Sequence, residues 1–226
     1  MMRQVLILLA AALLTLSPPL LAQERPLPLV DEAQSDGSWT SFRAQLLEAV
    51  EKRDLDATLG MILPDVRNGS DSPRGIEEFR VQWYLNGGDT PFWRELGKAL
   101  ALGSAWLSID NKPKELCAPY LLAKWPRDLD PFRTGLIAVR EAPVKAGPFR
   151  QSGTLATAGF VLVPVTAWEV SDSDDAVKQK WVKIRFQGRD GYVAEEQMRS
   201  AIEHAACFTR TELGWRMTVF GPAGRD

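Results

Sequence analysis

The chain has 226 residues, 45% of them hydrophobic, and its 27 basic and 29 acidic side chains leave a formal charge of −2. With no excess of Lys and Arg to neutralise phosphates, nucleic acid is excluded as the expected partner. Roughly 200 residues beyond a leader allow one large domain or two small ones with their own cores, and eight tryptophans supply both a core and an aromatic groove.

Arg3, the apolar run from Val5 to Leu16, Ser17-Pro18-Pro19 and the small residue Ala22 read as a secretory signal peptide over residues 1–22. The run is shorter than the roughly 20 apolar residues a spanning helix needs, so no membrane insertion is expected after cleavage. A retained N-terminal anchor is the competing reading, because Leu20 is a poor residue three places before the cut. The chain is therefore expected to be periplasmic or secreted.

Residues 23–37 mix Pro, Glu, Asp, Ser and Gly without periodicity, the composition of a flexible tether. After the capping residues Ser38 to Ser41, the helical spacing of Phe42, Leu46, Leu47 and Val50 predicts an amphipathic first helix. Asp54 or Asp56 caps a second helix through Leu59, Met61 and Ile62 that Pro64 stops. Ile76, Phe79 and Trp83 define a third. Thr90-Pro91 opens a fourth, with Phe92, Trp93, Leu96 and Leu100 on one face and Gly103 as its stop. A strand at Trp106 to Ile109 and a proline-rich connector complete a helical domain over residues 38–130.

From Gly135 the period switches to two, with short β-branched runs separated by Gly, Pro and Asp, and the fold class becomes α+β. The run from Ser171 to Asp175 reads as a solvated loop tip, because it lacks the spaced oxygen ligands and glycine of a calcium loop. Beyond it, Glu203 to Arg210 and Trp215 to Phe220 flank a Thr211-Glu-Leu-Gly214 turn and predict a C-terminal β-hairpin over residues 199–226. Cys117 and Cys207 are the only cysteines. In an exported chain the simplest reading is a disulfide closing a loop of about 90 residues (207 − 117), with two separate buried thiols as the alternative.

The segments Gly135-Leu-Ile-Ala-Val-Arg-Glu-Ala-Pro143, Gly153-Thr-Leu155, Phe160-Val-Leu-Val163, Trp181-Val-Lys-Ile-Arg185 and Gly191-Tyr-Val193 together resemble the bacterial SH3 domain family. The resemblance covers about 60 residues and implies an SH3-like β-barrel over residues 135–198. Such modules in exported proteins bind peptidoglycan peptides or dock on envelope proteins. On that reading Glu141, Trp168, Trp181 and Tyr192 are the candidate groove residues, with the alternative that Trp181 and Tyr192 fill the barrel interior. The C-terminal strand and Arg53-Asp54-Leu55 also resemble nuclear-transport-factor-2-like folds. This implies a second arrangement, in which the helices and the tail form one domain with the barrel inserted between them.

The single histidine, His204, follows Cys117 in the order of the cell-wall cysteine peptidases. Cys117, however, sits in Leu116-Cys-Ala-Pro119, which is not the start of a catalytic helix, and a disulfide would remove its thiolate. One His and two distant Cys provide no metal-ligand spacing. Glu77-Glu78 and Glu195-Glu196 are sequence neighbours pointing different ways, unlike a glycosidase pair. No catalytic residue, metal or cofactor is therefore expected. The expected function is non-catalytic recognition of peptidoglycan or an envelope protein. The alternatives are a cysteine peptidase or amidase using Cys117 and His204, and a regulatory interaction subunit.

Overall fold

The computed structural model describes residues 24–69, 74–86, 89–108, 114–174 and 176–223; the expected signal peptide lies outside them, as does Ile109 of the strand expected at Trp106 to Ile109. The elements in chain order begin with β1 (Arg25–Pro26), α1 (Gly37–Lys52), α2 (Leu55–Gly60), β2 (Ile62–Arg67), α3 (Ile76–Gln82), α4 (Pro91–Ala101), β3 (Ala105–Leu107), β4 (Glu115–Ala118) and α5 (Leu121–Lys124). They continue with β5 (Thr134–Ile137), β6 (Ala142–Lys145), β7 (Thr154–Ala158), β8 (Val161–Ser171), β9 (Lys180–Phe186) and β10 (Arg189–Ala194). A 3₁₀ turn (Glu195–Gln197), β11 (Met198–Arg199), β12 (His204–Thr211) and β13 (Gly214–Pro222) complete the chain. The fold is α+β, and no described helix is long and apolar enough to cross a membrane.

Local chemistry sets the helix ends. Asp36 caps α1 by accepting from Ser38 N at 2.8 Å and Trp39 N at 3.3 Å, while Asp54 caps α2 by accepting from Ala57 N at 3.0 Å. Pro91 occupies the first turn of α4, where its missing N–H has no partner to lose. Gly103 follows the end of α4 at φ +57°, and a Cβ there would lie 2.1 Å from the Val30 carbonyl oxygen. The second helix stops earlier than its apolar residues suggest. Ile62 to Arg67 form β2 instead, and Pro64 is tolerated because β2 is the edge of its sheet.

The strands β2-β13-β12-β4-β3 make one sheet, antiparallel apart from the parallel β13–β2 pair. The helices pack against it. Trp39, Phe42 and Leu46 of α1, Phe79 of α3, and Phe92 and Leu96 of α4 share one core with Phe208, Trp215, Met217 and Phe220 of the hairpin. Trp39 meets Phe208 and Trp215 edge-on, with centroids 5.0 and 5.1 Å apart. Cys117 lies directly opposite Cys207 in the β4–β12 register, and the two are joined by a disulfide. The connector thus carries two elements, β4 and α5, that its prolines concealed.

The remaining strands run β11-β5-β8-β9-β10-β6-β7, with β1 on β8, all antiparallel. Their inward side chains, among them Val144, Val163, Val182, Ile184 and Val193, form a second core. The closed barrel expected from sequence is corrected here, because the pairing is an open path ending at β7 and β11. The path turns at β8, whose register shifts between Val165 and Ala167 and again before Val170. These irregularities let its first half pair with β5 and its second half with β9.

Of residues 23–37, expected as a flexible tether, Glu24 to Asp36 are instead a strap across both sheets, and Gly37 already opens α1. Leu27 N donates to Phe160 O at 2.8 Å, and the Tyr120 hydroxyl donates to Leu27 O at 2.7 Å. Burial pushes Tyr120 up to about 12, so the hydroxyl keeps its proton to donate. Asp31 accepts from Ser104 Oγ at 2.6 Å and pairs with Arg43 at 2.8 Å. Glu32 takes Lys124 Nζ and the Trp106 N–H. The composition that reads as disorder is overridden by partners far away in the chain. Leu27 and Val30 then cover a third core, formed by Tyr120, Leu121 and Trp125 against Leu136 and Leu162.

Candidate functional site

The four expected groove residues do not share a groove. Glu141 is exposed immediately before β6. Trp181 on β9 is only 4% exposed, and its Nε1 donates to Asp172 Oδ2 at 2.8 Å. The acidic loop expected to be wholly solvated thus turns one carboxylate inward, since Asp172 is 6% exposed. Tyr192, half-buried on β10, stands opposite Lys183.

Trp168 on β8 lines a cleft of about 1090 Å³ between the two sheet units. Its Nε1 donates to Phe132 O at 3.1 Å, which fixes the ring plane. Gly135 on β5 makes room for it, since a Cβ there would lie 3.0 Å from the far edge of the indole. Glu169 follows Trp168 at φ +55°, in the irregular part of β8, and also lines the cleft.

The opposite wall is α4, and its centre is Glu95. The i+3 spacing from Phe92 and i−4 spacing from Ala99 put Glu95 on the buried face of the helix, where it is 8% exposed. Its Oε2 lies 3.7 Å from His204 Nδ1, and its Oε1 takes Arg94 Nε at 2.8 Å and Lys98 Nζ at 3.5 Å. The His204 imidazole, followed by Arg94 and Lys98, outweighs burial and holds the Glu95 carboxyl down at about 2. His204 packs against Trp83, edge-on at 5.2 Å, and Phe220, stacked at 5.8 Å, two rings that also touch each other at 4.7 Å.

Between the walls runs the segment from β11 to β12. Arg199 is 6% exposed, with Nη1 2.6 Å from Glu203 Oε2 and Nη2 donating to His204 O at 3.1 Å. Burial, with the Glu169 carboxylate added, pushes Glu195 up from the ordinary range. The cleft therefore offers fixed groups of both signs beside an aromatic wall.

Glu95 lies beside the His204 imidazole, and among the described residues no hydroxyl or thiol hydrogen-bonds that ring; the nearby Ser200 and Thr218 hydroxyls donate to Pro131 O and Cys207 O. Cys117 is bridged and has no thiolate to offer. Among the described residues no three His, Cys, Asp or Glu side chains are grouped to hold a metal ion.

Of these groups, the sequence pointed to Trp168 only as a residue of the barrel groove implied by the family resemblance, and did not point to Glu95 or Arg199. The available signal was Glu95 itself, a charge set among Phe92, Leu96 and Ala99 on an apolar helical face. Comparison with protein-family models, with curated proteins and with solved structures returns no match for this chain.

Proposed function

We propose that this chain is an exported, non-catalytic binding protein that recognises peptidoglycan peptides through an SH3-like β module. The site is the cleft between that module and the helix-covered sheet. The residues from Val139 to Val193 that resemble the family lie in strands β6 to β10 and the loops around them, and these enclose a single core. The short return of β11 onto β5 adds to the likeness. A cross-strand disulfide fits a chain that works outside the reducing cytoplasm.

The observation that carries the proposal is the setting of Trp168, an aromatic side chain held by Phe132 O at the wall of a mixed-charge cleft. A peptide with both carboxylate and amine groups suits Arg94, Lys98 and Lys180 on one hand and Glu169 and Glu195 on the other. Truncating a central aromatic contact typically costs more than 1.4 kcal/mol, or about tenfold in affinity. The test is retention of the purified chain on isolated sacculi. Trp168→Ala is expected to lower retention about tenfold or more with unchanged circular dichroism, while Tyr192→Ala, away from the cleft, leaves it near the parent's. Absence of retention by the parent, or equal retention by Trp168→Ala, would overturn the reading.

A further inference from the structure

The charges that line the cleft mostly hold one another. Arg94 and Lys98 share the one carboxylate of Glu95, at 2.8 and 3.5 Å, which leaves the α4 wall cationic. Arg199 pairs with Glu203 at 2.6 Å, Glu196 accepts from Gln179 Nε2 at 2.5 Å, and Lys180 Nζ donates to Ser171 Oγ at 3.1 Å. Two carboxylates are left over. Among the described residues, Glu169 and Glu195 take part in no ion pair or hydrogen bond, although both line the cleft.

Glu195 is half-buried in the 3₁₀ turn, where loss of water disfavours its ionised form. Glu169 is the charge that acts on it most strongly, ahead of Lys98, Glu203 and Lys180, and it acts in the same direction as burial. Lys178, also in the lining, is exposed and is not among those groups. Trp168 belongs to the same wall. Consecutive side chains of a regular strand leave on opposite faces, yet Trp168 and Glu169 both line the cleft, because β8 is irregular from Ala167 to Val170 and Glu169 sits at φ +55°. Two unpaired carboxylates and an indole in one wall make a setting that an incoming cation relieves.

We infer that this wall is a subsite for a primary ammonium group, with Glu195 as its specificity-determining residue and Glu169 and Trp168 completing it. The subsite rests on the reading of the cleft as a peptidoglycan-peptide site and names what it reads there: the side-chain amine of a diamino acid. Free, that amine is a cation. Once a neighbouring peptide acylates it in a cross-link, it is a neutral amide that cannot offset a carboxylate. The cleft therefore favours uncross-linked peptides over cross-linked ones.

The test is retention of the purified full chain on isolated sacculi before and after their free amines are acetylated with acetic anhydride. The parent is expected to be retained about tenfold less on the acetylated material. Glu195→Gln keeps the side-chain size without the charge and should show the same low retention on both. Glu141→Gln, which removes an exposed charge outside the cleft, should behave as the parent and so separate the local charge from the overall one. Because Glu195 has no partner to lose, Glu195→Gln should also leave the urea midpoint equal to the parent's or higher. A lower midpoint would make Glu195 a structural carboxylate and overturn the assignment. Equal retention of the parent on both materials, or a Glu195→Gln chain that still distinguishes them, overturns the ammonium subsite and leaves the cleft reading standing. No retention of the parent on untreated sacculi overturns the cleft reading and the subsite with it.

Discussion

The carboxylate of Asp172 sits below the surface of the β module, and a buried acceptor is tolerated only where a donor meets it. The Trp181 indole supplies that donor at 2.8 Å, and Asp174 N adds a second at 3.0 Å. Trp181→Phe keeps most of the ring volume but removes the indole donor, so the expected loss is about 1–3 kcal/mol in urea unfolding, with little change in the slope. A loss under about 0.5 kcal/mol would mean that the aromatic volume alone matters. Glu95 gives a second expectation at the same scale. Its folded carboxyl titrates at about 2, below the ordinary 4.5, so its contribution is present above pH 4.5 and disappears as pH falls toward 2. The full shift corresponds to about 3 kcal/mol. In Glu95→Gln the acid limb of a stability–pH curve should flatten between those pH values. An unchanged acid limb would assign acid sensitivity to other carboxylates.

At the scale of elements, the disulfide joins β4 to β12, and the whole β module from β5 to β11 lies within the loop it closes. Chain entropy for a separation of 90 residues predicts about 4–5 kcal/mol of stabilisation. If the β module stays folded while the helix-covered sheet opens, the flexible part of that loop is shorter and the effect falls toward about 3 kcal/mol. Replacing Cys117 and Cys207 together by Ser should therefore lower unfolding stability by about 3–5 kcal/mol, measured by denaturant titration against the parent; a loss below about 1 kcal/mol would contradict the entropic account.

The same elements mark what sequence can and cannot reveal. α1, α3, α4 and the β12–β13 hairpin were legible because their periodicity is local, with partners a few residues apart. β4 is too short to establish a period, and β2 exists because Met217 and Val219 of β13 pair with it from the far end of the chain. At the site, Trp168 came only from the family resemblance, as a residue of a barrel groove, and the Glu95–His204 pair depends on α4 meeting β12, which no local pattern specifies.

For the whole molecule the decisive contact is the third core. The helix-covered sheet contributes Tyr120, Leu121 and Trp125, the β module contributes Leu136 and Leu162, and the strap closes over them with Leu27 and Val30. Leu136 and Leu162 have no exposed surface, and each contributes about 2 kcal/mol by burial. The cleft is the open side of this junction, so its width is set by how firmly the junction holds. If this small core is what makes the two units unfold together, Leu162→Ala should do more than cost the usual 2–5 kcal/mol of a core truncation. It sits beneath β1 and beside β5, so the cavity loosens the strap and the junction at once. Scanning calorimetry is expected to show one transition in the parent and two in Leu162→Ala. Val182→Ala, confined to the core of the β module, should lower the transition temperature without splitting it. A single cooperative transition in Leu162→Ala would place the coupling in the disulfide and the connecting segments instead.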